Sequence, residues 1–169
     1  EYGWRQVKLY FMIGLPTETD EDLKAIADLC RKVRDAAGKG NPRLQVTAAL
    51  SPFVPKPFTP FQWVEQISQE EIQRRVQVVR NEFKGQKFLK LRWHEPAMSH
   101  LEGILSRADR RLADVVEKVY RKGGIFTSWI EGFDLAPWLE ALEECGLTAD
   151  EFTRARSMDE YLPWEHLEA

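Results

Sequence analysis

The stretch Val7-Lys-Leu-Tyr-Phe-Met-Ile-Gly-Leu-Pro-Thr-Glu-Thr-Asp-Glu-Asp-Leu23 limits what this chain can fold into more than any other. An unbroken apolar run from Leu9 to Ile13 stops at Gly14 and Pro16, and a helix opens at Thr19 among acids. A run that is apolar on both faces suits a strand of a parallel sheet, covered above and below. Strand, glycine turn and helix form the first half of a βαβ unit. The loop after such a strand lies at the carboxyl edge of the sheet, where α/β folds bind ligands.

The second half of the unit follows directly. Thr19 to about Ala37 reads as a helix, with Thr19-x-x-Asp22 as a capping box in which aspartate replaces the usual Glu or Gln. Leu23, Ile26, Ala27, Cys30, Val33 and Ala37 form one stripe at helical spacing, ready to pack on a sheet. Gly38 and Gly40, with Pro42 beyond, end the helix. Leu44 to Leu50 is the next strand, and a crossover of this length is right-handed and parallel. Two parallel strands bury little on their own, which implies neighbours.

Ser51-Pro-Phe-Val-Pro-Lys-Pro-Phe-Thr-Pro-Phe-Gln-Trp63 is too rich in proline for a helix or a central strand. It reads either as a stiff surface connection or as a wall or lid at the mouth of the sheet. Ser68-x-x-Glu71 is a second capping box, flanked by Ile67 and Ile72 as a hydrophobic staple. Its helix runs to about Lys84 with Ile72, Val76, Val79 and Phe83 inward. Phe88 to Trp93 is a possible third strand. The remainder is helical: Pro96 to about Ser106, Asp109 to Lys122 with Leu112, Val115, Val116 and Val119 inward, Leu135 to Cys145 capped by Asp134, and a short helix opened by Thr148-x-x-Glu151. Ile125 to Phe133 is an irregular aromatic stretch, and the tail Tyr161-Leu-Pro-Trp164 is aromatic and broken by proline.

With 43% hydrophobic and 30% charged residues, the 169-residue chain belongs among folded globular proteins. A net charge of -3 argues against a nucleic-acid module, which usually carries a basic excess. No apolar run approaches a membrane span and no signal peptide is visible, so a cytoplasmic setting without nucleic acid or membrane is expected. Cys30 and Cys145 are far apart inside helices, which suits small buried apolar side chains rather than a disulfide or metal pair. The start at Glu1, a few residues before a buried strand, suggests a cut inside a larger protein.

Three groups could carry chemistry. At Gly14-Leu-Pro-Thr-Glu18, glycine lets a ligand approach the backbone and the following helix offers amides; a plain turn needs the same residues. His94-Glu95 and His100 do not share one helix face, so capping or simple hydrogen bonding is favoured over metal ligation. Ser106-Arg-Ala-Asp-Arg-Arg111 suits an ion-pair network between helices more than an anion grip, although arginine forks fit either. The chain has no Cys-x-x-Cys and no glycine-rich phosphate loop, and no unaided catalytic set is recognisable.

Leu9-Tyr-Phe-Met-Ile-Gly-Leu-Pro-Thr-Glu-Thr-Asp-Glu-Asp-Leu23, followed by Ser51-Pro-Phe-Val-Pro-Lys-Pro-Phe-Thr-Pro-Phe, resembles the fifth and sixth strands of a radical SAM enzyme. The nearest group is the cobalamin-binding radical SAM Fe-S oxidoreductases of unassigned reaction. Their helical segment is similar to Ser106-Arg-Ala-Asp-Arg-Arg-Leu112, Phe126-Thr-Ser-Trp129 and Leu162-Pro-Trp-Glu-His166. The resemblance implies a partial barrel of parallel strands, a 4Fe-4S cluster on a CxxxCxxC loop, and S-adenosylmethionine cleaved to a 5′-deoxyadenosyl radical. The family's GxIxGxxE-like motif is matched by Met12 and Gly14. Tyr10 replaces its first glycine, and its acid falls one place late at Glu18.

By that resemblance, the cofactor-binding residues are Met12, Ile13, Gly14, Ser51, Pro52 and Phe53, which border the adenine. The chain has no CxxxCxxC, so no metal-binding residue and no catalytic residue is assigned, and no cofactor is expected on the chain by itself. The implied fold is α/β. Residues 1–93 would form the C-terminal part of the barrel, with a parallel βαβ unit, and residues 94–169 a helical extension. The S-adenosylmethionine, the cluster and any cobalamin would belong to the intact parent. Partners would be the missing N-terminal half and, through an open strand edge, another copy. The alternative is a non-catalytic module that docks a partner through its proline-aromatic loop and helical half. A small hydrolase-like or anion-binding α/β domain is a third option.

Overall fold

The structure, a computed structural model, describes residues 3–37, 41, 43–124 and 133–167. Gly38, Gly40, Pro42, the stretch from Ile125 to Glu131 and Gly132, and the Phe126–Trp129 motif lie outside the described residues. The chain divides into two compact units. One comprises residues 1–53 and 68–94, and the other residues 54–67 and 95–169. The proline-aromatic segment divides between them: Ser51 to Phe53 stay with the strands, and Val54 to Trp63 group with the helices.

The first unit is α/β. Its elements are β1 (Gln6–Ile13), α1 (Asp20–Ala36), β2 (Gln45–Pro52), α2 (Gln69–Phe83) and β3 (Leu89–Trp93). The strands are all parallel, in the order β1-β2-β3. α1 packs on β1 and β2, α2 packs on β3, and the two helices pack on each other, so both crossovers lie over one face. Val46, Ala48 and Leu50 of β2 and Ile13 of β1 are buried on that face, with Leu23, Ile26, Ala27 and Cys30 of α1 and Ile72, Val76, Val79 and Phe83 of α2 also buried. These are the stripes the helical spacing predicts.

The expectation that β1 is covered above and below is corrected. Its burial alternates, with Tyr10 73% exposed and Met12 52% exposed, because the helices cover one face only. Apolar letters in succession do not reveal which layer is present. β1 and β3 are both edges of this sheet.

Local signals set the helix ends. Thr19 and Asp22 form the full reciprocal box: the Thr19 amide donates to Asp22 Oδ2 and the Asp22 amide to Thr19 Oγ1. At Ser68 only half the box forms. The Glu71 amide donates to Ser68 Oγ, but the Glu71 carboxylate is drawn to Arg74 and Arg75 instead. Two ion-pairing guanidiniums on the same helix outcompete one backbone amide.

The second unit holds α3 (Pro96–Arg107), α4 (Leu112–Arg121), α5 (Ala136–Glu144) and α6 (Ala149–Thr153). α4 packs on α5 and α3 on α6, around Ile104, Val115, Val119, Ala141, Leu142 and Phe152. Val116, expected inward, is 45% exposed, since one helical step carries it off the stripe set by Val115. α4 begins at Leu112 rather than Asp109, whose carboxylate instead receives the Arg111 guanidinium and backbone amide. Gly103 makes room inside α3. A Cβ there would collide with Gln66 Oε1, and Gln66 is buried, with its amide donating to the Ser99 carbonyl at 2.6 Å.

Candidate functional site

The six expected site residues come together at the carboxyl ends of β1 and β2. Met12 pairs with Ser51 and Ile13 with Pro52 in the ladder, and the Phe53 amide donates to the Ile13 carbonyl at 2.8 Å. They do not all face the same way. Met12 and Ser51 lie on the open face, and Ile13 and Pro52 on the helix-covered face, with Ile13 fully buried. Phe53 is also buried. Of the six, Met12 and Ser51 have side chains on the open face, and Ile13 and Pro52 lie on the helix-covered face.

Gly14 has a φ of +89°, in the left-handed region that glycine adopts without steric cost. Its amide donates to both carboxylate oxygens of Glu18, at 3.0 and 3.1 Å. Glu18 also accepts from Arg75 at 2.6 Å, and both side chains are largely buried. Arg75 continues to Glu71, Glu71 to Arg74, and Arg74 to Asp20. A chain of alternating charges thus ties the β1–α1 turn to α2. Hydrogen bonding from Arg74 holds the Glu71 carboxyl down at about 2, and the same guanidinium lowers Asp20.

The α1 N-terminus is therefore not an anion site. Its first turn carries Asp20, Glu21 and Asp22, and the Asp22 side chain is bound to Thr19. Their negative charge already meets the positive end of the helix.

The open face continues away from the sheet end in register rows: Lys8, Thr47 and Lys90 in one, Tyr10, Ala49 and Arg92 in the next, Met12 and Ser51 at the top. Lys8 Nζ lies 4.7 Å from the Tyr10 ring centroid. Lys90 and Arg92 were not singled out from the sequence, and Tyr10 only as a departure from the family motif; the polar Lys8, two places before Tyr10, is the local hint of an open face. His94 and His100 belong to no metal-ligating group, since no cluster of three His, Cys, Asp or Glu side chains exists among the described residues.

A second feature lies wholly within the helical unit. A cavity of about 960 Å³ is bordered by Pro57 and Phe58, by the Ser106–Arg111 segment, and by the tail from Tyr161 to Leu167. The Ser106–Arg111 patch behaves in part as the expected ion-pair network: Arg111 bonds Asp109 in a fork and reaches Glu151 at 3.4 Å. Arg107, by contrast, is fully buried with no carboxylate bonded to it among the described residues. Its guanidinium donates to the carbonyls of Thr153, Gln62 and Arg154. Burial, with Arg156 and Arg154 nearby, pushes Arg107 down to about 10, so it stays charged at neutral pH.

Comparison with known proteins places few limits on these sites. No family model matches the chain, and no solved structure matches it. Over 62 residues it is 42% identical to the uncharacterized protein MJ0966 of Methanocaldococcus jannaschii. That span is 37% of this chain and 13% of the length of the archaeal protein. No helix among the described residues is long and apolar enough to cross a membrane.

Proposed function

We propose that this chain forms adenine-side and substrate-side walls of a radical SAM iron-sulfur enzyme, whose cluster would be held by residues outside it. The observation that carries this reading is the winding of the sheet. Three parallel strands run in sequential order with both crossover helices on one face, leaving the other open with Met12 beside Ser51 at its carboxyl end. Sequential order with helices on one face is how a barrel winds, and it also occurs within one half of a doubly wound sheet, so it supports the reading only together with the strand-end residues. On this reading the open face is the barrel interior, lined by Tyr10, Met12, Thr47 and Ser51, and a further strand would pair with the free edge of β1.

The residues present fit the adenine of S-adenosylmethionine. Met12 offers an exposed polarizable surface, while Gly14, buried with its amide held by Glu18, shapes the turn at the strand end. Ser51 adds a hydroxyl on the same face. They do not fit the cluster. Cys30 is fully buried in α1 with its thiol pushed up by burial, which disfavours the thiolate a cluster needs, and Cys145 belongs to the helical unit. When bound in the parent, S-adenosylmethionine and the cluster would supply the radical; this chain would position the nucleoside and wall off the substrate. Cobalamin, if the parent uses it, would likewise be held elsewhere.

A protein extended upstream of Glu1 and reconstituted with iron and sulfide without oxygen tests this reading. It is expected to acquire cluster absorbance and to cleave S-adenosylmethionine reductively to 5′-deoxyadenosine. Absence of both refutes the reading.

The second reading, a docking module, draws on the exposure of Phe58 (51%) and Phe61 (41%). It predicts that Phe58→Ser combined with Phe61→Ser abolishes capture of a protein partner, whereas Met12→Glu leaves capture intact. The opposite pattern refutes it.

A further inference from the structure

Three stretches that the sheet-end site leaves unused meet around the cavity of the helical unit: Pro57-Phe58, Ser106 to Arg111, and Tyr161 to Leu167. The sequence gives no reason for segments so far apart to converge, and their side chains are of two kinds, aromatic rings and cations.

The aromatic side is built rather than incidental. Phe58 has a φ of +58°, a left-handed backbone that an aromatic residue adopts only when its surroundings impose it. Gln62 imposes it here. Its side-chain oxygen accepts from the Phe58 amide at 3.1 Å and from the Trp164 indole at 2.7 Å, joining two walls of the cavity through one atom. Phe58 is nonetheless half exposed and Tyr161 is 68% exposed. Trp164 is buried, with the Arg156 guanidinium 5.2 Å from its ring centroid. Large rings held at an open cavity, one of them in a strained backbone, suit stacking on a planar ligand.

The cationic side is incompletely neutralised. Arg111 is matched by Asp109 and Arg154 by Glu160. Arg110 lines the cavity, is exposed, and has no side-chain partner among the described residues. Behind the wall, Arg107 and Arg156 are buried with no carboxylate bonded to either among the described residues, although the charge of Glu160 reaches both, and each keeps a buried Nε without a hydrogen-bond partner there. This local positive excess sits in a chain whose net charge is -3. A guanidinium and exposed aromatic rings bordering one cavity suit a phosphate joined to a planar ring. The volume, about 960 Å³, leaves ample room for such a ligand.

We infer that this cavity is a nucleotide site, with the base against Phe58 and Tyr161 and the phosphate on Arg110. The site is contained in one unit and stands whether or not the radical SAM reading does. The nucleotide is either free or part of a single-stranded RNA, and the two sources share this chemistry.

Calorimetric titration of the 169-residue chain with AMP tests the inference. Saturable binding is expected, about tenfold tighter than that of adenosine or inorganic phosphate alone, since each half of the site then contributes. Arg110→Ala and Tyr161→Ala, both at exposed positions, should each weaken AMP about tenfold with unchanged thermal melting. Arg80→Ala, in the other unit, should change nothing. A hexa-adenylate that binds more tightly than AMP and loses affinity in the same variants assigns the polymer; equal affinity assigns the free nucleotide. Failure of AMP and the hexamer to bind saturably, or binding indifferent to Arg110→Ala and Tyr161→Ala, overturns the inference.

Discussion

Glu18 takes two loads at once, the Gly14 amide and the Arg75 guanidinium, in a nearly buried position. Glu18→Ala leaves the Gly14 amide without its acceptor and Arg75 with Glu71 alone, and should cost about 1–3 kcal/mol in denaturant unfolding. The open face is tested by neighbours of opposite orientation. Ile13→Ala should cost about 3 kcal/mol, because Ile13 is fully buried, whereas Met12→Glu should cost under about 0.5 kcal/mol. Equal costs would mean that the open face is covered. In the helical unit, Gly103→Ala should destabilise by about 1–3 kcal/mol through its collision with Gln66, and Gln66→Ala should relieve that part, giving a non-additive double mutant. At this scale the sequence was half legible. A glycine ending an apolar run announces a special turn, but the Arg75 that braces it lies 57 positions away, and no local pattern links them.

Between elements, the charge chain from Glu18 through Arg75, Glu71 and Arg74 to Asp20 makes the strand–helix unit acid-sensitive. The Glu71 carboxyl is held at about 2 against an ordinary 4.5, mainly by hydrogen bonding from Arg74. A depressed carboxyl stabilises the fold above its unfolded value, so this contribution is present above about pH 4.5 and is lost as pH falls toward 2. Unfolding followed between pH 5 and 2 should therefore show stability falling with acid, and Glu71→Gln should flatten that slope; an unchanged slope would show that the pairing carries none of it. The helices were legible from their stripes and from Thr19 and Ser68, because capping and amphipathic spacing are local. The Ser68 box failed in its second half because Glu71 had stronger partners within its own helix. β1 was legible as a strand but not as one-sided, since burial depends on layers that Leu9 to Ile13 do not encode.

For the molecule as a whole, the two compact units carry two features: a sheet end whose open face holds Met12 and Ser51, and a cavity bordered by Phe58, Arg110 and Tyr161. The sheet end was visible in the sequence because its residues border two strands. The cavity was not, because its walls come from three separated segments joined by Gln62. The proposed radical SAM function rests on the sheet end, and Gly14 is where the proposal can be probed most directly. In the upstream-extended, cluster-loaded protein, 5′-deoxyadenosine formation should fall at least tenfold on Gly14→Val, because a β-branched residue cannot hold a φ of +89° without strain and adds bulk beside the adenine. Arg80→Ala should leave it unchanged. Formation of 5′-deoxyadenosine at the wild-type rate by a folded Gly14→Val protein, or none from wild type carrying a full cluster, would contradict the account.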